Sequence, residues 1–257
     1  MTVGTLDVYA ETMQGLATGL TVGHIATFDL HTCADSDDAF RVFDDTNVEI
    51  YDQIPVRKNG RIVGVLERRD GTRSGAARDH MRTLENTLLV SAEGPLMSFI
   101  RTADASPYRL VVRETEVSGI VTRSDLLKLP VRVLAFAMIT HLESLMADAI
   151  RRECGADDDQ WMKYLNQTRR EKLSKKHEKL SSGRIDLPLL ELTDFCDKRD
   201  IVKILRHFGS DFEHQLKRIE GLRNKLTHAG EFAADDEAVR VFVEHLKNTE
   251  SWIGKLR

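Results

Sequence analysis

The sequence predicts an α+β multidomain chain, with tandem α/β repeats in its N-terminal half and an all-α helix bundle behind them. Three observations carry this expectation. An order of short helix, strand, strand and helix occurs twice, about 55 residues apart. Asn59-Gly60 separates two apolar runs, which is a strong hairpin signal. Beyond Pro130 the apolar residues Leu134, Met138, Leu142, Leu145 and Ile150 fall at helical steps. The expected divisions are an N-terminal segment over 1–21, the repeat pair over 22–128 and the helical domain over 129–257.

In the first repeat, Asp35-Ser36-Asp37-Asp38 offers N-cap residues to a short helix at Ala39-Phe40-Arg41-Val42-Phe43. Ile54-Pro55-Val56 and Ile62-Val63-Gly64-Val65-Leu66 flank the Asn-Gly turn. In the second, Pro95 to Ile100 is a short helical run, and Leu110-Val111-Val112 and Val117 to Val121 are strands. Thr122-Arg123-Ser124-Asp125 then opens a helix with Leu126 and Leu127. Gly64 to Asp70 aligns with Gly119 to Asp125. One such unit could hardly bury its apolar face; two packed together can. Past Pro130, helical segments are expected near 158–179, 188–207, 211–228 and 236–256, with no strand pattern among them.

At 257 residues the chain has room for one large or two small domains. Residues 1–128 hold 14 Lys and Arg against 19 Asp and Glu, and residues 129–257 hold 23 against 22, so the halves stand at −5 and +1. Neither has the strongly basic balance of a general nucleic-acid binder. Residues 169–179 concentrate six Lys and Arg with two Glu, which reads either as a solvated helix face or as an RNA-contacting ridge. Cys33, Cys154 and Cys196 are far apart with no C-x-x-C, so neither a disulfide framework nor a cysteine zinc site is expected, and a reduced cytoplasm is the simplest location. No membrane span and no signal peptide are expected, since no run of about 18 apolar residues and no basic N-terminal start stand out. No H-E-x-x-H pattern or other metal spacing connects the histidines, and no nucleophile elbow, phosphate loop or dinucleotide fingerprint is present.

Two places carry residue types suited to chemistry. In the second repeat, Gly119 to Asp125 resembles the Gly-apolar-x-Thr-x-x-Asp stretch by which CBS (cystathionine-beta-synthase) pairs take a ribose and a phosphate. That resemblance implies Thr122 for the phosphate and Asp125 for the ribose. Free backbone N–H groups at a helix start and a carboxylate able to accept from two hydroxyls agree with those roles. Arg123 or Arg109 can add positive charge. In the first repeat Asp70 matches, but Glu67 occupies the Thr position and would repel phosphate. One competent site, around the second repeat, is therefore expected. Thr-x-x-Asp is equally a good helix N-terminus, so capping alone accounts for the same residues.

The repeat with Ile54-Pro55-Val56, Gly64-Val65-Leu66 and Asp70, then Tyr108 to Val112 and Gly119 to Asp125, resembles a CBS pair over residues 22–128. The resemblance implies an adenine nucleotide (ATP, ADP or AMP) as regulatory ligand, held by Gly119, Thr122, Arg123, Asp125 and Asp70.

The second place is Leu222-Arg223-Asn224-Lys225-Leu226-Thr227-His228-Ala229-Gly230. Arg223 sits four after Ile219 and three before Leu226, on the apolar stripe of its helix. A guanidinium there needs a reason. His228 precedes Gly230, a helix-ending residue, and carbonyls at a helix C-terminus favour the imidazolium form. Arginine holds phosphate oxygens and histidine moves protons, so the two suit a phosphodiester. An Arg in an ion pair and a His acting as a cap is the plainer account. The Arg-x(4)-His pattern with Asn after the Arg resembles the HEPN superfamily of helical domains. That resemblance implies a homodimer with a composite cleft, and metal-independent RNA cleavage of the kind found in toxin, phage-defence and RNA-processing systems. Arg223 and His228 would be catalytic, Asn224 orienting, and Glu143 a polar residue of the first bundle helix. No catalytic cofactor or metal is implied. The expectation is thus an adenine-nucleotide-regulated ribonuclease; the alternative is a non-catalytic nucleotide sensor whose helical part dimerises or docks on a partner.

Overall fold

The computed structural model describes residues 4–44, 51–68, 74–85, 88–155, 158–184, 187–227 and 232–257, with side chains from residue 11 onward. The chain divides into two compact units. Ala17–Val131 forms an α/β unit, and Arg132–Arg257, with the chain up to Leu16, forms a helical one. The first helix, α1, spans Gly4–Gly19.

The α/β unit contains two sheets. β1 (Cys33–Ala34), β2 (Gln53–Lys58), β3 (Arg61–Glu67) and β4 (Arg82–Thr83) lie in that order in one, and β5 (Leu89–Ser91), β6 (Tyr108–Arg113) and β7 (Glu116–Thr122) in the other. In each sheet a parallel pair leads into an antiparallel hairpin. The registers match residue for residue. Ile54 faces Leu66 and Val56 faces Gly64, while Arg109 faces Val121 and Val111 faces Gly119. Both hairpins shift register directly after those valines, at Val56 and Val111. The spacing between these equivalent residues is 55, the period seen in the sequence.

Asn59 (φ 49°) and Gly60 (φ 82°) form the first hairpin turn, both in the left-handed region that fits the strand twist. Glu114 (φ 56°) takes the equivalent place in the second. Short helices follow the leading strands, α2 (Ala39–Asp44) and α4 (Leu96–Ile100), and α3 (Ala77–His80) precedes β4. Thr122 is followed by a 3-10 turn over Arg123–Leu127.

The repeats exchange their leading segments. Arg82–Thr83 precedes the second repeat but pairs with β3 of the first. Thr27 precedes the first repeat but bridges Ile120 of β7 through both backbone groups at 2.9 Å. This close approach explains two glycines. A Cβ at Gly64 would lie 2.4 Å from the Arg82 carbonyl oxygen, and one at Gly119 would lie 2.9 Å from Phe28 and 3.0 Å from the Thr27 carbonyl oxygen. The cores follow the alternation of the strands, reset in β3 by the register shift opposite Val56 and Arg57. Ile54, Val56 and Leu66 pack on Ala39 and Phe43 of α2, while Ile62 and Val65 pack on Leu88, Tyr108 and Leu110 of the other repeat.

In the helical unit, α5 (Leu129–Cys154) is the central element, with Leu134, Ala135, Ile139, Leu142, Leu145 and Ile150 fully buried. Pro130 falls in its first turn, where a missing N–H costs nothing. α5 is long and apolar enough to cross a membrane, which the run-counting of the sequence did not pick out. Its apolar window is 61% buried within the protein, so burial on several faces accounts for that composition. α6 (Asp158–Met162), α7 (Gln167–Ser182), α8 (Phe195–Leu205), α9 (Ser210–Thr227) and α10 (Asp236–Leu256) follow. Two of the expected segments are broken by caps. Asn166 accepts from the Arg169 amide at 3.0 Å and starts α7, separating it from α6. Asp194 and Asp197 form a capping box that starts α8 after a 3-10 turn over Leu189–Leu192. Asp235 caps α10 through the Ala238 amide at 2.7 Å. Phe208, Phe212 and Trp252 pack edge to face where α9 meets α10, and the indole N–H of Trp252 donates to Gln215 at 2.7 Å.

Candidate functional site

β7 delivers Thr122 and Asp125 to the start of the 3-10 turn as the sequence predicts, and there they bind each other. Asp125 is 6% exposed. Its Oδ2 accepts from the Thr122 amide at 2.6 Å and from the Thr122 hydroxyl at 3.0 Å. Its Oδ1 pairs with Lys128 Nζ at 2.7 Å, and Lys128 also donates to the Ile25 carbonyl at 2.5 Å. The carboxylate therefore secures the turn and the leading segment, and a ribose diol would have to compete with these donors. Gly119 is a point of close approach to the Thr27 carbonyl and the Phe28 ring. The Arg123 amide donates to Pro107, and its side chain is half-buried. Arg109 donates to the Thr102 carbonyl at 2.8 Å and lies over Phe99, with burial drawing its pKa down. Asp70 lies outside the described residues.

Glu67, the first-repeat counterpart of Thr122, is 8% exposed and already neutralised. It accepts from the Tyr108 hydroxyl at 3.1 Å and from Arg82 at 3.3 Å. The same repeat borders a cavity of about 450 Å³ lined by His31, Cys33, Asp37, Asp38, Arg41 and Ile54 among others, and not by Thr122 or Asp125. His31 stacks on Tyr51 with centroids 5.9 Å apart. The Asp38 carboxyl is held below its usual range by the Gly75 and Arg41 amides, so it stays ionised. The Arg41 guanidinium has no hydrogen-bond or ion-pair partner among the described residues. Burial, with help from Asp37, pushes the Cys33 thiol up to about 11, so it is no nucleophile. Sequence spacing gave no signal for this cavity, because its walls come from a loop, a helix, β1 and β2.

In the helical unit, α5, α8 and α9 bring three charges together. Arg223 Nη2 of α9 lies 3.4 Å from Glu143 Oε2 of α5. Lys198 of α8, only 2% exposed, reaches Glu143 Oε1 at 3.1 Å and the Thr193 carbonyl at 2.7 Å. One carboxylate thus orients two cations. The Arg223 side chain is 32% exposed while its Nε is buried with no hydrogen-bond partner among the described residues. Leu216, Ile219, Leu222 and Leu226 form the buried stripe, with Arg223 at its edge. Arg132 closes the end of α9 by donating to the Leu226 carbonyl at 3.1 and 2.7 Å. Asn224 is exposed, and its carbonyl accepts from the Thr227 hydroxyl. His228 lies outside the described residues. Lys198 was missed in the sequence because a lysine four residues after a cap reads as surface.

The basic stretch of α7 is partly occupied. Arg169 pairs with Asp194 at 2.9 Å and Asp197 at 3.5 Å, and Lys176 donates to the Leu192 carbonyl. Leu173 is the buried residue of the helix, and Lys175 and Lys179 face solvent. Asp194, Cys196 and Asp197 come within metal-ligating distance of one another, but Arg169 already pairs with both carboxylates.

No protein-family model matches the chain, and no curated protein matches it. Among solved structures, the chain is similar to the CBS domains of a transcriptional regulator from Streptococcus pneumoniae, at 22% identity over 42% of this chain and 96% of that one, with a TM-score of 0.37. It is similar to CBSX2 in complex with AMP, at 20% identity over 45% and 98% of the two chains, with a TM-score of 0.39. It is also similar to the CBS domain of a bacterial CNNM/CorC family Mg2+ transporter in complex with ATP, at 15% identity over 49% and 95%, with a TM-score of 0.38. These likenesses fall on the N-terminal part of the chain.

Proposed function

We propose that this chain is an adenine-nucleotide-regulated ribonuclease, with the ligand taken by the α/β unit and RNA cut by the helical unit of a homodimer. The observation that carries the nuclease reading is the Glu143–Arg223 pair. It holds a partly exposed guanidinium in place at the end of α9, five residues before His228. In this reading the RNA 2′-oxygen attacks the adjacent phosphorus and the P–O5′ bond breaks, leaving a 2′,3′-cyclic phosphate and a 5′-hydroxyl. The proton lost from the 2′-hydroxyl and the one gained by O5′ pass through His228 and solvent. Arg223 stabilises the charge on the phosphate oxygens and Asn224 orients it. The chemistry needs no metal.

For the α/β unit, the Thr122–Asp125 turn and the cavity with the His31–Tyr51 stack and the Arg41 guanidinium support binding of an adenine nucleotide. Regulation requires that the nucleotide bind two states of the protein with different affinity. Pure protein should cleave single-stranded RNA in EDTA, with a rate that changes on adding ATP or AMP. Intact RNA under every condition, or wild-type cleavage by Arg223→Ala and His228→Ala, overturns the nuclease reading. A second reading, a nucleotide sensor without catalysis, is favoured by the same ion pair, since Glu143 already neutralises Arg223. It expects AMP binding by calorimetry with no cleavage.

A further inference from the structure

A cavity of about 230 Å³ lies between α9 and α10, away from the Glu143 cluster. Arg218, Lys225 and His245 line it, over Leu222, Phe232 and Phe242. The Phe232 and Phe242 rings meet at 4.9 Å and build an apolar floor. Among the described residues its charges are unbalanced. Arg218 is mostly exposed, and its ion-pair partner is Glu244, 3.9 Å away and also mostly exposed. Lys225 has no hydrogen-bond or ion-pair partner among the described residues. At Gly221 a Cβ would meet nothing within 4 Å, so this part of the wall is open.

A site with two cations and a histidine at its rim and apolar side chains beneath selects an anion that carries a flat, poorly hydrated body. The weakly hydrated guanidinium of arginine forks onto phosphate oxygens, lysine adds a point charge, and a base covers apolar surface. We propose that this cavity binds one nucleotide unit, its phosphate between Arg218, Lys225 and His245 and its base over Leu222 and the phenylalanine floor. The unit is either a free nucleoside monophosphate or one residue of a single-stranded RNA. In the second case the cavity holds substrate for the nuclease proposed above and rests on that reading; the binding itself does not.

The proposal has a proton signature. His245 faces Arg218 and Lys225 from α9 and Glu244 on its own helix, and its backbone partner is Val241. Burial first, and then the two cations, keep its imidazole below the ordinary histidine pKa of 6.5, against the opposing pull of Val241 and Glu244. A bound phosphate reverses the field of those cations, so the complex takes up a proton and affinity rises as pH falls from neutrality.

The full chain is titrated by calorimetry with UMP, a pyrimidine nucleotide chosen to leave an adenine site empty, and with a 2′-O-methyl oligouridine pentamer that cannot cyclise. Gly221→Leu is the blocking variant, because it fills open space and replaces glycine with a better helix former. Arg218→Ala/Lys225→Ala removes the charge, and His245→Gln removes the titration. Binding should be lost in Gly221→Leu and fall about tenfold or more in the double variant. In His245→Gln the pentamer, whose phosphodiesters do not titrate near neutrality, should lose its pH dependence, while UMP keeps that of its own phosphate, with a second pKa of about 6. UMP and pentamer binding alike point to the free nucleotide, and pentamer binding alone points to RNA; both support the site. No binding of either probe, or binding that Gly221→Leu leaves unchanged, overturns it. RNA cleavage is followed in parallel. Cleavage with no Gly221-sensitive binding sinks this site and spares the nuclease reading; Gly221-sensitive binding with no cleavage does the reverse.

Discussion

Tyr108 donates its phenolic proton to the Glu67 carboxylate at 3.1 Å, tying the first residue of β6 to the last residue of β3. Arg82, from the exchanged leading segment, supplies the opposite charge at 3.3 Å. The residue that departs from the repeat pattern at the Thr122 position is thus a bolt between the two repeats.

Tyr108→Phe removes one donor from a nearly buried carboxylate and should lower the stability of the α/β unit by about 1–3 kcal/mol. Both tryptophans lie in the helical unit, so the measurement is amide hydrogen exchange in β3 and β6. Unchanged protection there would show that Arg82 and its other neighbours satisfy Glu67 without the phenol.

Gly64→Ala and Gly119→Ala should both destabilise the exchanged pairing, and Gly64→Ala more. Its Cβ would approach a backbone carbonyl at 2.4 Å, which cannot swing aside, whereas the nearest obstacle at Gly119 is the Phe28 ring at 2.9 Å. Overpacking of this kind costs about 1–3 kcal/mol, with Gly64→Ala at or above the upper end. Thermal unfolding by circular dichroism ranks the two.

Glu143→Ala should be the most damaging change in the charged cluster. It leaves Lys198, 2% exposed, with the Thr193 carbonyl and no counter-charge among the described residues, a situation that costs about 3–5 kcal/mol. Arg223→Ala keeps the Glu143–Lys198 pair and should cost clearly less. Glu143→Ala/Lys198→Met should recover part of the loss. Guanidinium unfolding followed by tryptophan fluorescence reads all three. Equal losses for Glu143→Ala and Arg223→Ala would contradict this division of labour.

Acid should weaken the helical unit. His141 is 3% exposed, and its ring Nε2 lies 3.4 Å from Arg257. Burial, then the Arg257 charge, lowers its pKa from 6.5. The unfolded chain therefore binds the proton more readily than the folded one, so stability is present above about pH 6.5 and declines as pH falls toward the depressed folded value. His245 is shifted the same way, by burial first, and acts in the same direction. In His141→Leu the unfolding free energy between pH 7.5 and 5 should vary less; an unaltered pH slope would assign the effect elsewhere.

How much of this was legible in the sequence depended on range. The hairpin at Asn59-Gly60, the paired motifs ending at Asp70 and Asp125, and the helical period after Pro130 are local patterns, set by turn conformations and by side-chain period. Cap chemistry was legible too, yet Asn166 and the Asp194–Asp197 box divided segments that periodicity had joined, because a satisfied cap ends one helix and starts another within a continuous apolar pattern. Thr122 and Asp125 illustrate the limit. The resemblance to CBS pairs implied a ribose and a phosphate for them, with helix capping as the other account, but only the fold showed Lys128 on the second carboxylate oxygen.

By itself, then, the sequence determined the duplicated α/β frame, the helical character of the second half, and the positions of Arg223 and of the Thr122–Asp125 turn. Tertiary structure alone decided the company these residues keep. Tyr108 and Glu67 are 41 residues apart, and Lys198 and Glu143 are 55 apart. Arg218, Lys225 and His245 surround one cavity only because α9 and α10 lie side by side. Backbone period fixes which face a side chain occupies, whereas the partner on the opposing face is chosen by how the elements pack, and no spacing along the chain encodes that choice.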